Sequence, residues 1–378
     1  MHWWGSFSLF SFLKWIGSIF LATEALFGLH HQVSTPPAGV TISTRPIQKI
    51  AQIVATTTSI KAKKSPASRV ETPIVVSASS SVAVSTILSS PPSIDPELLN
   101  EEARAAVVNI LCTTGGGGYF EPISASGTII DPRGVILTNA HVGQYFLLRN
   151  YPIPDNVNCE IRTGSPAQAS YSAELLYLPS EWVAANASQI TSSEPVGTGQ
   201  YDYALLLITG SLNSNTPLPS SFPYLEPNAS DPDVGDEMLL ASYPASFLGG
   251  IAIQSHLYLS TAYATVSKLY VFDTADQWVD LFSVPGTVVS QSGSSGGAVV
   301  RASDGTLAGI IVTSTQATST EGRDLRAVSL AHIDHNLESD GLGDINSFLS
   351  GNLQTKAFIF NQTTAPVLEQ ELVNAINS

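Results

Sequence analysis

The sequence predicts an all-β fold, an antiparallel sandwich or barrel, preceded by a targeting segment and a spacer. Three observations carry this. Charged residues make up only 12% of 378, with 28 Gly and 23 Pro among many Ser and Thr, which argues against coiled coils and helical bundles. From residue 106 onward, short apolar runs recur at close spacing, each bounded by Gly, Pro, Asn or Asp, with no long helical period between them. Before residue 94 the composition is different: no Phe, Tyr or Trp occurs between Phe27 and Tyr119.

Residues 3–29 are apolar apart from Lys14 and Glu24, and Trp3, Trp4 and Trp15 suit a membrane interface. The uninterrupted stretch 15–23 falls short of the roughly 20 residues that span a bilayer. With Lys14 ahead of it and Thr23-Glu24-Ala25 as a weak cleavage site, residues 1–32 read as an export signal, or as a membrane anchor if uncleaved. In the stretch 33–93, 28 of 61 residues are Ser, Thr or Pro. Such a segment buries too little apolar area to offset its ordering entropy, so 33–94 is expected to be a disordered linker.

The folded domain is expected over 95–350. Asp95-Pro96-Glu97-Leu98-Leu99 looks like a helix start. Strands are expected in the runs 106–112, 127–131, 135–138, 157–161, 173–178, 204–208, 238–241, 307–312 and 325–333. Only 365–377 has a helical pattern, within a C-terminal extension 351–378. The segment 179–200 reads as a polar surface insertion.

The net charge of −15 divides into +5 over the first 94 residues and −20 over the rest. An acidic domain repels phosphate backbones, so nucleic acid is not expected as a partner. The two cysteines, Cys112 and Cys159, rule out a disulfide framework and an all-cysteine zinc site. They could pair in an oxidising compartment or remain as two buried thiols.

Three segments can do chemistry. Ile136-Leu137-Thr138-Asn139-Ala140-His141 ends an apolar run on a histidine, Tyr201-Asp202-Tyr203-Ala204 begins one with a carboxylate, and Gly293-Ser294-Ser295-Gly296-Gly297 sets a serine in a glycine-rich turn. Serine is a weak nucleophile and needs a base within hydrogen-bond reach, itself oriented by a third group. His141 could be the base and Asp202 its partner. The glycines would let the N–H groups of Gly293 and Ser295 converge on a developing oxyanion.

The segments T-x-A-H-V, D-x-A-L-L and G-x-S-G-G, in the order His, Asp, Ser, resemble the chymotrypsin-fold (trypsin-like) serine peptidases. Within that family the sequence is similar to the bacterial HtrA/Deg-like branch. The likeness rests on Ala105-Ala106-Val107-Val108-Asn109-Ile110, Ser126-Gly127-Thr128-Ile129-Ile130-Asp131 and Gly134-Val135-Ile136-Leu137-Thr138-Asn139, followed by Val234-Gly235-Asp236 and Thr265-Val266-Ser267.

The resemblance implies a double antiparallel β-barrel with the cleft between the barrels. It also implies a serine endopeptidase with His141, Asp202 and Ser295 as catalytic residues, working on protein or peptide substrates without metal or cofactor. By the same resemblance, Val289, Ser290, Ile311, Val312, Thr313 and Ser314 line the substrate pocket. No Asp or Glu lies between Asp280 and Asp304, so a small or medium apolar P1 residue is expected. Two positions depart from the family: Ser294 stands where Asp or Asn is common, and Val312 where many relatives place a Ser that bonds the catalytic Asp. Relatives of this branch usually carry a PDZ domain, and the 43 residues after 335 are too few for one. The competing expectation is an inactive homologue that binds peptides or cell-surface components.

Two weaker motifs are read structurally. His332-Ile333-Asp334-His335 has H-x-x-H spacing without an apparent third ligand, and is expected at a solvated strand-to-helix junction. Gly115 to Gly118 lack a following Lys-Ser/Thr, so they form a loop and no phosphate cradle.

Overall fold

The computed structural model describes residues 94–115, 121–192, 195–245, 248–314 and 324–378. The expected export segment 1–32 and the spacer up to residue 93 lie outside them. Among the described residues, no helix is long and apolar enough to cross a membrane.

The first sheet is a closed barrel of six antiparallel strands: β1 (Val107–Thr114), β2 (Ile123–Asp131), β3 (Val135–Thr138), β4 (Val157–Thr163), β5 (Gln168–Tyr177) and β6 (Ala204–Ser211), in the order β1-β2-β3-β6-β5-β4. The second sheet has seven: β7 (Glu237–Ser242), β8 (Ser260–Thr265), β9 (Lys268–Tyr270), β10 (Leu281–Pro285), β11 (Ala298–Arg301), β12 (Leu307–Ser314) and β13 (Asp324–Ser329), in the order β8-β7-β11-β12-β13-β10-β9. Its edge strands β8 and β9 do not pair with each other among the described residues, so only the first sheet closes.

Three apolar cores hold the two sheets. One fills the first barrel, with Ile110, Ile136, Ile161 and Leu206 fully buried. Another backs the second sheet, around Leu240, Phe282 and Ile311. The third joins them: Leu137, Leu205 and Leu207 of the barrel share it with Leu239, Ala298 and Ile310 of the second sheet. Each fully buried Leu, Ile or Val contributes about 1.5–3 kcal/mol relative to exposure. This shared core fixes one sheet against the other, so a site between them is held from both sides.

Helices are more numerous than the sequence pattern suggests. The expected start at Asp95 is present: its carboxylate accepts from the Glu97 N–H at 2.9 Å and caps α1 (Pro96–Ala106). The run 106–112 therefore begins one residue early, on the helix's last residue. Helix α2 (Ala140–Leu147) carries no apolar stripe because seven of its eight residues are buried, which removes the periodic signal. Short helices α3 (Ser180–Asn186) and α4 (Gly250–Ser255) lie in the long connections.

The run 325–333 is two elements: β13 ends at Ser329, whose hydroxyl accepts from the His332 N–H and caps α5 (Leu330–Ser339). Taken as one run across Ser329, the stretch hides that boundary, although a serine just before Leu330 is a helix-start residue. Helix α6 (Ile345–Leu349) and α7 (Leu353–Thr363) follow, then α8 (Ala365–Ile376), the helix the pattern did show. Phe360, Leu368 and Leu372 of α7 and α8 pack into the first barrel's core, so the chain's last residues lie against the fold. Cys112 and Cys159 face each other across β1 and β4 and are disulfide-bonded.

Candidate active site

The pairing of β3 with β6 sets Thr138 opposite Ala204, and both chains leave the barrel at that end. After Thr138 the chain turns into α2, putting His141 in its first turn. Just before β6, Asp202 meets it. The Asp202 Oδ2 lies 2.8 Å from His141 Nδ1, and its Oδ1 accepts from the His141 backbone N–H at 3.0 Å. That N–H is one of the donors every helix start leaves without an intrahelical acceptor, and the helix dipole favours a carboxylate there. Asn139 completes the junction, its amide donating to the Asp202 carbonyl at 2.9 Å.

The carboxylate is buried, at 7% exposure, whereas the His141 side chain is 36% exposed. Burial of the ring pushes the His141 pKa down, but the charge and hydrogen bond of Asp202 push it up by more, leaving it above the ordinary 6.5. With Nδ1 committed to Asp202, Nε2 is the nitrogen left for chemistry, and it has no partner among the described residues. Among the described residues, no serine hydroxyl bonds the Asp202 carboxylate. Val312, where a supporting hydroxyl was in doubt, is instead an apolar wall of the cleft.

Ser295 comes from the second sheet, in the turn between β10 and β11. Gly293 (φ +93°) and Gly296 (φ +82°) hold left-handed conformations there. A Cβ on Gly293 would lie 2.6 Å from the Tyr243 carbonyl oxygen, and one on Gly296 would lie 2.1 Å from that of Ser126. Glycine is required at both.

Ser126, on β2 of the first barrel, docks this turn. Its N–H donates to the Ser295 carbonyl at 2.8 Å, and its hydroxyl donates to the Gly293 carbonyl at 2.8 Å and accepts from the Tyr243 N–H at 2.9 Å. Ser126 opens the strand motif Ser126-Gly127-Thr128-Ile129-Ile130-Asp131, which by itself assigns it no role. Its burial on a β-strand beside a glycine is the only signal that could have found it. Ser294 is buried and accepts from the Ser242 hydroxyl at 2.9 Å.

His141, Asp202 and Ser295 line one cleft of about 760 Å³. The N–H groups of Gly293 and Ser295 have no acceptor among the described residues, and neither does the Ser295 hydroxyl have a hydrogen-bond partner there. Of the expected pocket residues, Ile311 and Val312 line the cleft, joined by Leu325 and Gln291. Val289 and Ser290 are fully buried outside its walls, Val289 in the second sheet's core. Thr313 and Ser314 lie on β12, and their side chains are outside the described ones.

The insertion 179–200 is no bland surface loop, because Trp182, Ile190 and the stretch 195–200 form one wall of the cleft. Buried Gly199 (φ +90°) approaches Val312 and Leu281 of the opposite sheet. Tyr145 also lines the cleft, its phenol pushed up to about 12 by burial and by the nearby Glu121 carboxylate. His332, expected in solvent, is 4% exposed. No cluster of metal-ligating side chains occurs among the described residues.

Residues 125–310 match the family model of the trypsin-like peptidase domain. No curated protein matches the chain. Similar solved structures include the Rv3671c protease from M. tuberculosis in its active form, at 16% identity and a TM-score of 0.38, covering 73% of this chain and 93% of that one. They also include the serine endoprotease from Yersinia pestis, at 20% identity and a TM-score of 0.40, covering 64% of this chain and 65% of that one. The chain carries a trypsin-like peptidase domain and is a serine endopeptidase.

Proposed function

We propose that Ser295 is the nucleophile, His141 the general base and Asp202 the group that orients it. The observation that carries this reading is the double hold of Asp202 on His141 beside Ser295 in one cleft. Nδ1–H donates to Asp202, so Nε2 can take the Ser295 proton as the hydroxyl attacks a peptide carbonyl. Nε2–H then returns the proton to the leaving amine, and water repeats the cycle on the acyl-enzyme. The N–H groups of Gly293 and Ser295 receive the oxyanion, an interaction worth several kcal/mol in the transition state. This chemistry calls for no metal or cofactor.

The substrate is a protein or peptide that pairs, as an added strand, with the backbone of residues 312–314 at the end of β12. A small or medium apolar P1 residue is favoured. Ile311, Val312 and Leu325 present apolar surface to the cleft, and among the described residues the carboxylates lining it are Glu121 and Asp202, the latter committed to His141. The motif likeness favours the HtrA/Deg-like branch. The apolar residues 3–29 favour export, with the segment either cleaved or kept as a membrane tether. The competing reading, a peptide-binding homologue without activity, draws on the absence of a Ser295–His141 hydrogen bond. Such bonds are often long before substrate binds.

Digestion of a peptide library followed by mass spectrometry tests the reading. Cleavage after Ala or Val that disappears in Ser295→Ala supports it. Efficient cleavage after Arg overturns the pocket assignment, and binding without cleavage favours the inactive homologue.

A further inference from the structure

A second His–Asp pair lies behind the first. His332 on α5 places Nδ1 2.7 Å from Asp280 Oδ1, and both side chains are at least 95% buried. Asp280 also accepts from the Trp278 indole N–H at 2.9 Å on Oδ1 and from the Phe272 N–H at 2.5 Å on Oδ2. A carboxylate receiving these donors is an acceptor on both oxygens, so the proton between the pair belongs on His332 Nδ1. Nε2 is then a lone pair. Two donors face it: the Asn336 amide at 2.8 Å and the Tyr201 backbone N–H at 3.4 Å.

Tyr201 directly precedes Asp202 and holds φ +56°, a left-handed conformation that is strained for a non-glycine residue. Such a conformation persists only where its surroundings fix it. Within the turn, the Asp202 N–H donates to Gly199 and the Tyr203 N–H to Tyr201. From outside the turn, the hold on the Tyr201 N–H is His332.

We propose that His332, locked by Asp280 with its lone pair on Nε2, is a positioning residue that holds the Tyr201–Asp202 turn and so aims the carboxylate at His141. The inference rests on Asp202 acting as the orienting acid. The second sheet thereby supplies the nucleophile's turn and also steadies the acid borne by the first barrel. A Tyr201 released from its left-handed conformation would rotate the Asp202 carboxylate away from the His141 ring.

Paired substitutions test this. His332→Asn keeps a donor for Asp280 but is too short to reach Tyr201, whereas His332→Gln keeps an acceptor at the distance of Nε2. The expected result is that His332→Asn lowers kcat about 10-fold or more with KM within about twofold. It should also move the acid limb of the pH–rate profile down, because His141 loses its partner. His332→Gln should restore most of kcat. Wild-type kcat and an unmoved profile in folded His332→Asn would overturn the proposal, and so would equal losses in both variants. Independently of variant folding, nitrogen NMR of the unmodified protein should find His332 protonated on Nδ1, and protonation on Nε2 would overturn it. If Ser295→Ala and His141→Ala retain hydrolysis, the triad reading itself fails, an outcome distinct from any loss confined to His332.

Discussion

The two buried-carboxylate histidines share one geometry and differ in what lies beyond it. His141 and His332 each set Nδ1 within 2.8 Å of an aspartate. The His141 side chain is 36% exposed, the His332 side chain 5%. Nε2 of His141 is unpartnered among the described residues, in a cleft that also holds Ser295, while Nε2 of His332 accepts from Asn336 and Tyr201. A His–Asp pair is thus a general device for fixing an imidazole tautomer. Whether it does chemistry or architecture depends on the group at its second nitrogen.

The sharpest way to break this contrast is to remove the chemistry from one pair. Ser295→Ala or His141→Ala should lower kcat by about 10⁴-fold or more, measured on a peptide found in the library digest. Asp202→Asn should cost on the order of 10⁴-fold by favouring the wrong tautomer of His141. A loss at His332 as large as at His141 would erase the distinction between the two.

A smaller effect is expected where the barrel docks the serine turn. Ser126→Ala removes the hydroxyl that bridges Gly293 and Tyr243 and leaves buried partners unpaired, a cost of about 1–3 kcal/mol. A fall in both melting temperature and kcat is expected, and unchanged kcat would mean the turn holds its shape without the barrel. Gly296→Ala should be worse for folding, since its Cβ has no room beside Ser126.

The pH profile sharpens the comparison further. With His141 as the proposed general base, its neutral form is the active one, so kcat/KM should rise as pH increases through a pKa above the ordinary 6.5. The sign for stability is opposite. A histidine whose folded pKa is raised contributes fully below its unfolded value, and the contribution fades as pH rises through the folded one. Asp202→Asn should move the activity midpoint down, and a midpoint below 6.5 in the unmodified protein would count against the pair.

The smallest effect on activity is expected at the disulfide. Cys112 and Cys159 cross-link β1 to β4 across a sequence separation of 47, and neither lines the cleft. Replacing both by Ser should lower stability by about 4 kcal/mol on a chain-entropy view and leave kcat of the folded protein near that of the parent. Melting curves with and without reductant check this.

The strands were the legible part of the fold. β3 spans the same residues, 135–138, that its apolar run marks. Strands β8 and β9 escaped notice because their half-exposed residues make no apolar run. Helix α2 escaped because burial on all sides leaves no stripe to read. In the site, residue types with dedicated chemistry could be found from order and spacing alone, and the structure brings His141 and Asp202 into contact. Ser126 and His332 could not be assigned that way. Their roles depend on which strand and helix happen to pack beside the Asp202 and Ser295 turns, and only the shared core between the sheets decides that. The cleft wall from the 179–200 segment was hidden for the same reason: its polar composition is that of any loop.

The rate of modification by a fluorophosphonate, followed by intact mass and peptide mapping across pH, tests the central claim most directly. One adduct per chain is expected, located on Ser295, forming faster as pH rises through a midpoint above 6.5 and absent in Ser295→Ala. An adduct elsewhere, or none in folded protein with peptide present, would contradict the assignment of Ser295, His141 and Asp202.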